Sequence, residues 1–355
     1  MTPQTLAPRP RLWDWLRQNV LATRVDFVLA ILLAGLALYA VPALVRWAFI
    51  DSVVIAEQPQ ACAAAAGACW AVVYAHGRTI LFGLYPYEAQ WRAAVALVIV
   101  ALALAATFAL GVRRFRAVLT VWIAAAAVFV LLMAGGALGL MPVPTDAWGG
   151  LPLSIFVFIA TVLLGFPLAI VLALGRGSRL PAFRIVCTAA IEIVRAVPIL
   201  TILFCAAIVI PLMLPSWLTP NKIFRVILAM AFFYACFQAE IIRGGLQGVP
   251  SGQVQAALSL GLTPLQTKVF VELPQALRYT VPATINQVVV ALKDTSMLLV
   301  VGLFDFMASA NTAITKDEWV RYFAELYLFV AAVFLAMTTV VSGLERRFVG
   351  DVRHG

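Results

Sequence analysis

"GQVQAALSLGLTPLQTKVFVELP", residues 252–274, interrupts a chain that otherwise reads as one membrane-crossing run after another. It is moderately polar and broken by Gly261, Pro264 and Pro274, so it cannot supply the run of about 20 apolar residues that a crossing helix needs. The punctuation is nevertheless ordered. Pro250 and Ser251 make a helix entry with Ser251 at the N-cap, and the Ala- and Leu-rich stretch 252–260 favours a short helix. Gly261 falls where a C′ residue adopts the left-handed conformation without steric cost. Thr263, Pro264 and Gln266 supply an N-cap, an N1 proline and the N3 partner of a capping box. The spacing predicts a second short helix to about Glu272, ended by Leu273-Pro274. Two readings fit this helix-turn-helix: a knob for a partner's groove, or an amphipathic loop resting on lipid headgroups.

The rest of the chain sets the class. Of 355 residues, 64% are hydrophobic and 12% charged, against about 25% charged in soluble domains. The expected fold is an all-α polytopic membrane protein of about eight transmembrane helices, at 27–49, 92–112, 117–140, 151–175, 185–213, 223–245, 279–302 and 322–344. The first run is long and follows a polar, basic stretch, so it reads as a retained span rather than a cleaved signal. Before it, Leu12, Trp13, Leu16 and Val20 share one helical face, which suits an interfacial helix; a disordered tail is the alternative.

Basic residues set the orientation. Arg9, Arg11, Arg17, Arg24, Arg113, Arg114, Arg116, Arg176, Arg179, Arg184, Arg243, Lys268, Arg278, Arg346, Arg347 and Arg353 all fall on one side. Acids such as Asp51, Glu57, Glu88, Asp146, Asp317 and Glu318 gather on the other. The positive-inside rule then predicts both termini in the cytoplasm. It also accounts for the net charge of +9 without nucleic acid as a partner.

A Pro/Gly-rich stretch at 141–150 divides the organisation. The expected parts are an amphipathic tail (1–26), an accessory three-span region (27–150) with an outer loop at 51–91, a five-span core (151–345) carrying the cytoplasmic loop 246–278, and a tail (346–355). The accessory spans hold almost no buried polar residues, whereas the core holds charges and prolines.

The 252–274 stretch resembles the coupling loop of permease subunits of ABC importers, Glu-Ala-Ala-x3-Gly-x9-Ile-x-Leu-Pro. Here it reads Gln255-Ala256-Ala257, Gly261, then Val271-x-Leu273-Pro274, with every interval kept. Gln255 replaces the acid and Val271 the isoleucine. "EIVRAVPIL" (192–200), "AEIIRGGLQGVPSGQ" (239–253), "LPQALRYTVPATINQ" (273–287) and "ALKDTSML" (291–298) resemble the polar amino-acid branch. The extra spans and "GACW" (67–70) resemble permeases of general L-amino-acid importers.

The resemblance implies a transport subunit in a bacterial inner membrane that moves L-amino acids. It implies two ATP-binding subunits docking on 252–274, a second permease, identical or homologous, and an amino-acid-binding protein at the outer face. Gly-Lys never occurs as a dipeptide, so no Walker A loop is present. ATP and Mg are therefore expected on the partner ATPase, with no cofactor and no ATP hydrolysis in this chain. A proton- or ion-coupled secondary transporter of small polar solutes is the alternative. An intramembrane enzyme would need a catalytic set that is not visible, and with only two histidines no metal site is expected.

An amino-acid zwitterion needs both signs of charge or equivalent dipoles. Asn286, Gln287, Lys293, Asp294, Thr295 and Ser296 offer these along one helix, with Glu192, Arg195 and Glu240 as further pathway candidates; a structural role locking helices together is the alternative. Glu192 and Arg195, like Glu240 and Arg243, are spaced to pair within one helix. Pro198 marks either a bend at a gate or a static kink. Cys62 and Cys69 permit a disulfide or stand as two thiols, and Cys187, Cys205 and Cys236 read as packing residues.

Overall fold

The computed structural model describes Trp13, Leu16, Val20, Leu21, 23–111, 114–315 and 318–353. The interfacial helix expected before the first span lies almost wholly outside these residues. Among the described residues the chain is helical, with two isolated β-bridges and no strand. It divides into two compact units, 1–75 and 76–355.

In the first unit, α1 (Arg24–Val45) opens on a capping box between Thr23 and Asp26 and continues as a π-helix over Arg46–Ile50. The short α2 (Gln60–Ala63) carries Cys62, which forms a disulfide with Cys69. The indole of Trp70 donates to the carbonyl of Ala48 at 2.6 Å, pinning this loop to the end of α1. The helix α3 (Ala71–Phe82) leads out of the unit.

The second unit holds the remaining spans. The helices α4 (Gln90–Leu110) and α5 (Phe115–Ala134) pack side by side. Both also touch α6 (Gly150–Arg176), so these two spans share a unit with the core. Buried polar residues are more numerous here than the sequence suggests. Gln90, Arg92 and Thr107 are all buried, with Arg92 donating to the Met141 carbonyl at 3.0 Å.

The segment expected as one fifth span is two helices. The first, α7 (Pro181–Ala196), meets α8 (Ile199–Phe204) and α9 (Ile210–Met213) across a 107° bend. Pro198 cannot donate to the turn before it and holds Val197 in extended conformation, so the helix breaks rather than kinks. Among the described residues seven helices are long and apolar enough to cross a membrane, or eight if the bent pair is one span.

The long α10 (Lys222–Gln247) forms the centre, packing on α6, α7 and α8. Gly165 of α6 permits the closest approach: a Cβ there would sit 2.7 Å from the Ala231 carbonyl oxygen of α10. Then come α11 (Ser251–Ser259), α12 (Pro264–Gln266), α13 (Leu273–Tyr279), α14 (Val281–Asp294), α15 (Phe306–Thr315) and α16 (Phe323–Arg353). A polar junction ties the Gly150 end of α6 to the turn before α15. Gly150 N–H donates to the Phe304 carbonyl at 2.8 Å, and Phe306 N–H to the Ser154 hydroxyl at 2.9 Å.

Candidate functional site

The loop between α10 and α14 forms a projecting knob. Pro250, rather than Ser251, occupies the N-cap of α11; Ser251 is the first helical residue, because the fixed φ of Pro250 already sets the entry. At the other end Gly261 takes φ +83°, and the N–H groups of Gly261 and Leu262 close on the carbonyls of Leu258 and Ala257. The capping box forms as expected: Gln266 N–H donates to the Thr263 hydroxyl at 3.3 Å, and Thr263 N–H to the Gln266 side chain at 2.8 Å. Beyond it, the helix does not stop at Leu273-Pro274. A π-helical stretch over Thr267–Glu272 runs straight into α13. Its wider turn shifts the hydrogen-bond register just ahead of Pro274, the second residue of α13, so the proline sits at the seam between the two segments.

Large apolar side chains stand on the knob's surface among polar ones such as Gln253, Gln255 and Gln266. Leu260, Leu265 and Phe270 are 85%, 68% and 68% exposed, flanked by Gln255, Ala256 and Pro274, which are also exposed. Ala257 is buried, while Val271 and Leu273 are half-buried and Leu273 packs towards α6, α7 and α10. The motif residues thus come together, some facing out and others seating the knob.

A charged cluster lies where α6, α7 and α10 meet. Glu240 receives the Arg243 Nε at 2.8 Å, Arg176 Nη1 at 3.2 Å and Arg195 Nη1 at 3.8 Å. Arg176 Nη2 also reaches Glu192 at 2.9 Å, so one guanidinium bridges carboxylates on two helices. The Glu240–Arg243 pair forms as expected, whereas Glu192 pairs with Arg176 rather than with Arg195. The reason is geometric: Arg195 instead turns towards α10, with its guanidinium 5.5 Å from the Phe237 ring centre. Arg176 reads in the sequence as a topogenic loop charge, and nothing local marks it as the hub.

The α14 residues divide. Asn286 and Lys293 are exposed on one face of the helix, and no described residue bonds the side chain of Lys293 or Asp294. Gln287 and Thr295 are buried, and Asp294 and Ser296 half-buried. The Thr295 and Ser296 hydroxyls are spent on the Leu292 and Lys293 carbonyls of their own helix. Among the described residues no bond joins α14 to the charged cluster. Gln238, a polar residue within an apolar run, donates to the Thr284 hydroxyl at 2.8 Å and links α10 to α14; its sequence setting could have flagged it.

Residues 165–354 match the family model described as binding-protein-dependent transport system inner membrane component. The inner membrane amino-acid ABC transporter permease protein YhdY of Escherichia coli is 32% identical, with 96% of each chain covered. This chain belongs to that family of permeases. The permease is also 28% identical to the glutamate/glutamine/aspartate/asparagine transport system permease protein BztC of Rhodobacter capsulatus, over 99% of this chain and 98% of the other. A crystal structure of an amino acid ABC transporter with histidines superposes with a TM-score of 0.50 at 28% identity. It covers 56% of the permease and 90% of that chain. Membership leaves the ion-coupled alternative without support.

Proposed function

We propose that the permease carries L-amino acids into the cell as the membrane subunit of an ATP-driven importer, energised by ATPase subunits that seat on the 251–279 knob. One observation carries the docking assignment: a structured helix-turn-helix that presents Leu260, Leu265 and Phe270 to solvent instead of burying them. A loop that merely rested on headgroups would not need the paired caps that fix its turn. The amino-acid cargo rests on the names of the relatives. ATP and Mg belong to the partner ATPase, a second permease of the same family completes the membrane part, and a binding protein delivers the amino acid at the opposite face. On this reading the knob and both termini face the cytoplasm.

Replacing Gly261 with Val tests the docking. A β-branched residue at φ +83° costs about 1–2 kcal/mol. Gly261 has open space around it, so the cost falls on the turn and not on the spans. Expected is a Gly261→Val permease that inserts normally, no longer co-purifies with its ATPase and has lost uptake. An ATPase retained at full occupancy and normal uptake would overturn the assignment.

A further inference from the structure

Between the knob and the membrane helices, the described residues form a short polar chain. Lys268, in the π-helical stretch, donates through Nζ to the Gly177 carbonyl at 2.8 Å. Among the described residues this is the one hydrogen bond that ties 251–272 to α6, α7 or α10. Gly177 closes the C-terminus of α6, where unpaired carbonyls favour a cation. A Cβ at Gly177 would stand 3.1 Å from that ammonium, so the fit is close. The preceding residue is Arg176, which holds Glu192 on α7 and Glu240 on α10. Glu192 in turn lies shortly before the 107° break between α7 and α8.

We propose that Lys268 and Arg176 are positioning residues of a mechanical link that makes the α7–α8 hinge follow the knob. The inference rests on the ATPase-docking reading above. When the knob moves, Lys268 carries the end of α6 with it. Arg176 then shifts relative to the two carboxylates it bridges. A bidentate guanidinium shared between helices cannot stretch gradually: it keeps both partners or releases one. The broken helix supplies the two-state element: the Val197 N–H closes back on Val194 and the Pro198 carbonyl accepts from Thr201 and Ile202, so each arm caps itself and, among the described residues, no backbone hydrogen bond spans the extended joint. The surplus guanidinium of Arg195, at 3.8 Å from Glu240, stands ready to take the place of Arg176 on that carboxylate.

The test uses the assembled transporter in proteoliposomes, with ATP hydrolysis and uptake of a radiolabelled L-amino-acid mixture measured together. Lys268→Met removes the tie to Gly177. Arg176→Lys keeps the charge but loses the planar fork that holds the two carboxylates in fixed directions. Both variants should retain their ATPase and its ATP turnover, while amino acid moved per ATP falls roughly fivefold or more. Lys268→Arg should restore coupling. The double variant should be no worse than either single, since both break one link. Unchanged transport per ATP in the singles, or additive losses in the double, would overturn the link. If Lys268→Met releases the ATPase, Lys268 is a docking contact and the link fails while the docking reading stands. Failure of that reading shows separately, as Gly261→Val keeping its ATPase.

Discussion

Asp305 is the most thoroughly buried acid of the described chain, and its setting makes a measurable demand. Its carboxylate accepts from the N–H groups of Met307 and Ala308 at the start of α15. Burial nevertheless outweighs those bonds and pushes its pKa up to about 7. Between its ordinary value and about 7, the folded protein holds a proton that the unfolded chain has released. The stabilisation is thus complete at acid pH and is lost as pH rises through 7. The apparent melting temperature of the detergent-solubilised permease should fall between about pH 5 and about pH 8, and Asp305→Asn should flatten that fall. An unchanged slope in the variant would show that other groups set it. Asparagine keeps one acceptor oxygen for one of the two N–H groups, whereas its amide nitrogen cannot accept the other, so the substitution removes the titration and leaves half the cap.

At the scale of elements, the knob divides what is local from what is not. The left-handed Gly261 and the Thr263/Gln266 box were legible in the sequence because each involves residues three or four apart. The continuation through Pro274 was not. A proline signals a stop, and only the tertiary seating of Leu273 against its neighbours selects the π-helical turn that carries the chain past it. The same contrast separates Arg243, which pairs three residues away, from Arg176, whose partners lie 16 and 64 residues away. The 107° angle at Pro198 was likewise hidden, since the residue announces an interruption but no direction. The box itself has a testable worth. Thr263→Ala should loosen the second half of the knob by about 1 kcal/mol, weakening ATPase binding roughly fivefold. Titration of the purified ATPase onto the reconstituted permease would measure this, and Thr263→Ser should recover most of the affinity.

At the scale of the molecule, the exposed face of α14 is the clearest unfinished surface. A helix inside a bilayer does not leave Asn286 and Lys293 towards hydrocarbon without cost. On the function proposed above, a second permease would cover that face and the amino acid would pass along it. Lys293→Ala and Asp294→Ala should each lower uptake about tenfold, the effect of roughly 1.4 kcal/mol on the rate-limiting barrier. Assembly should be preserved, as judged by co-purification of the ATPase. Normal uptake in both variants would assign these side chains to structure alone.

The length of α10 has one more consequence. Its 26 residues extend about 39 Å, against roughly 30 Å of hydrocarbon. The excess of about 9 Å corresponds to about six residues, so Arg243 falls within that length of the C-terminal end and Glu240 just before it. The bridge between α6, α7 and α10 therefore lies towards one end of that helix and not at its middle. Under the link proposed above, lipid phosphates reaching that end would compete with Glu192 and Glu240 for Arg176, so raising the anionic lipid content of the proteoliposomes should lower the amino acid moved per ATP.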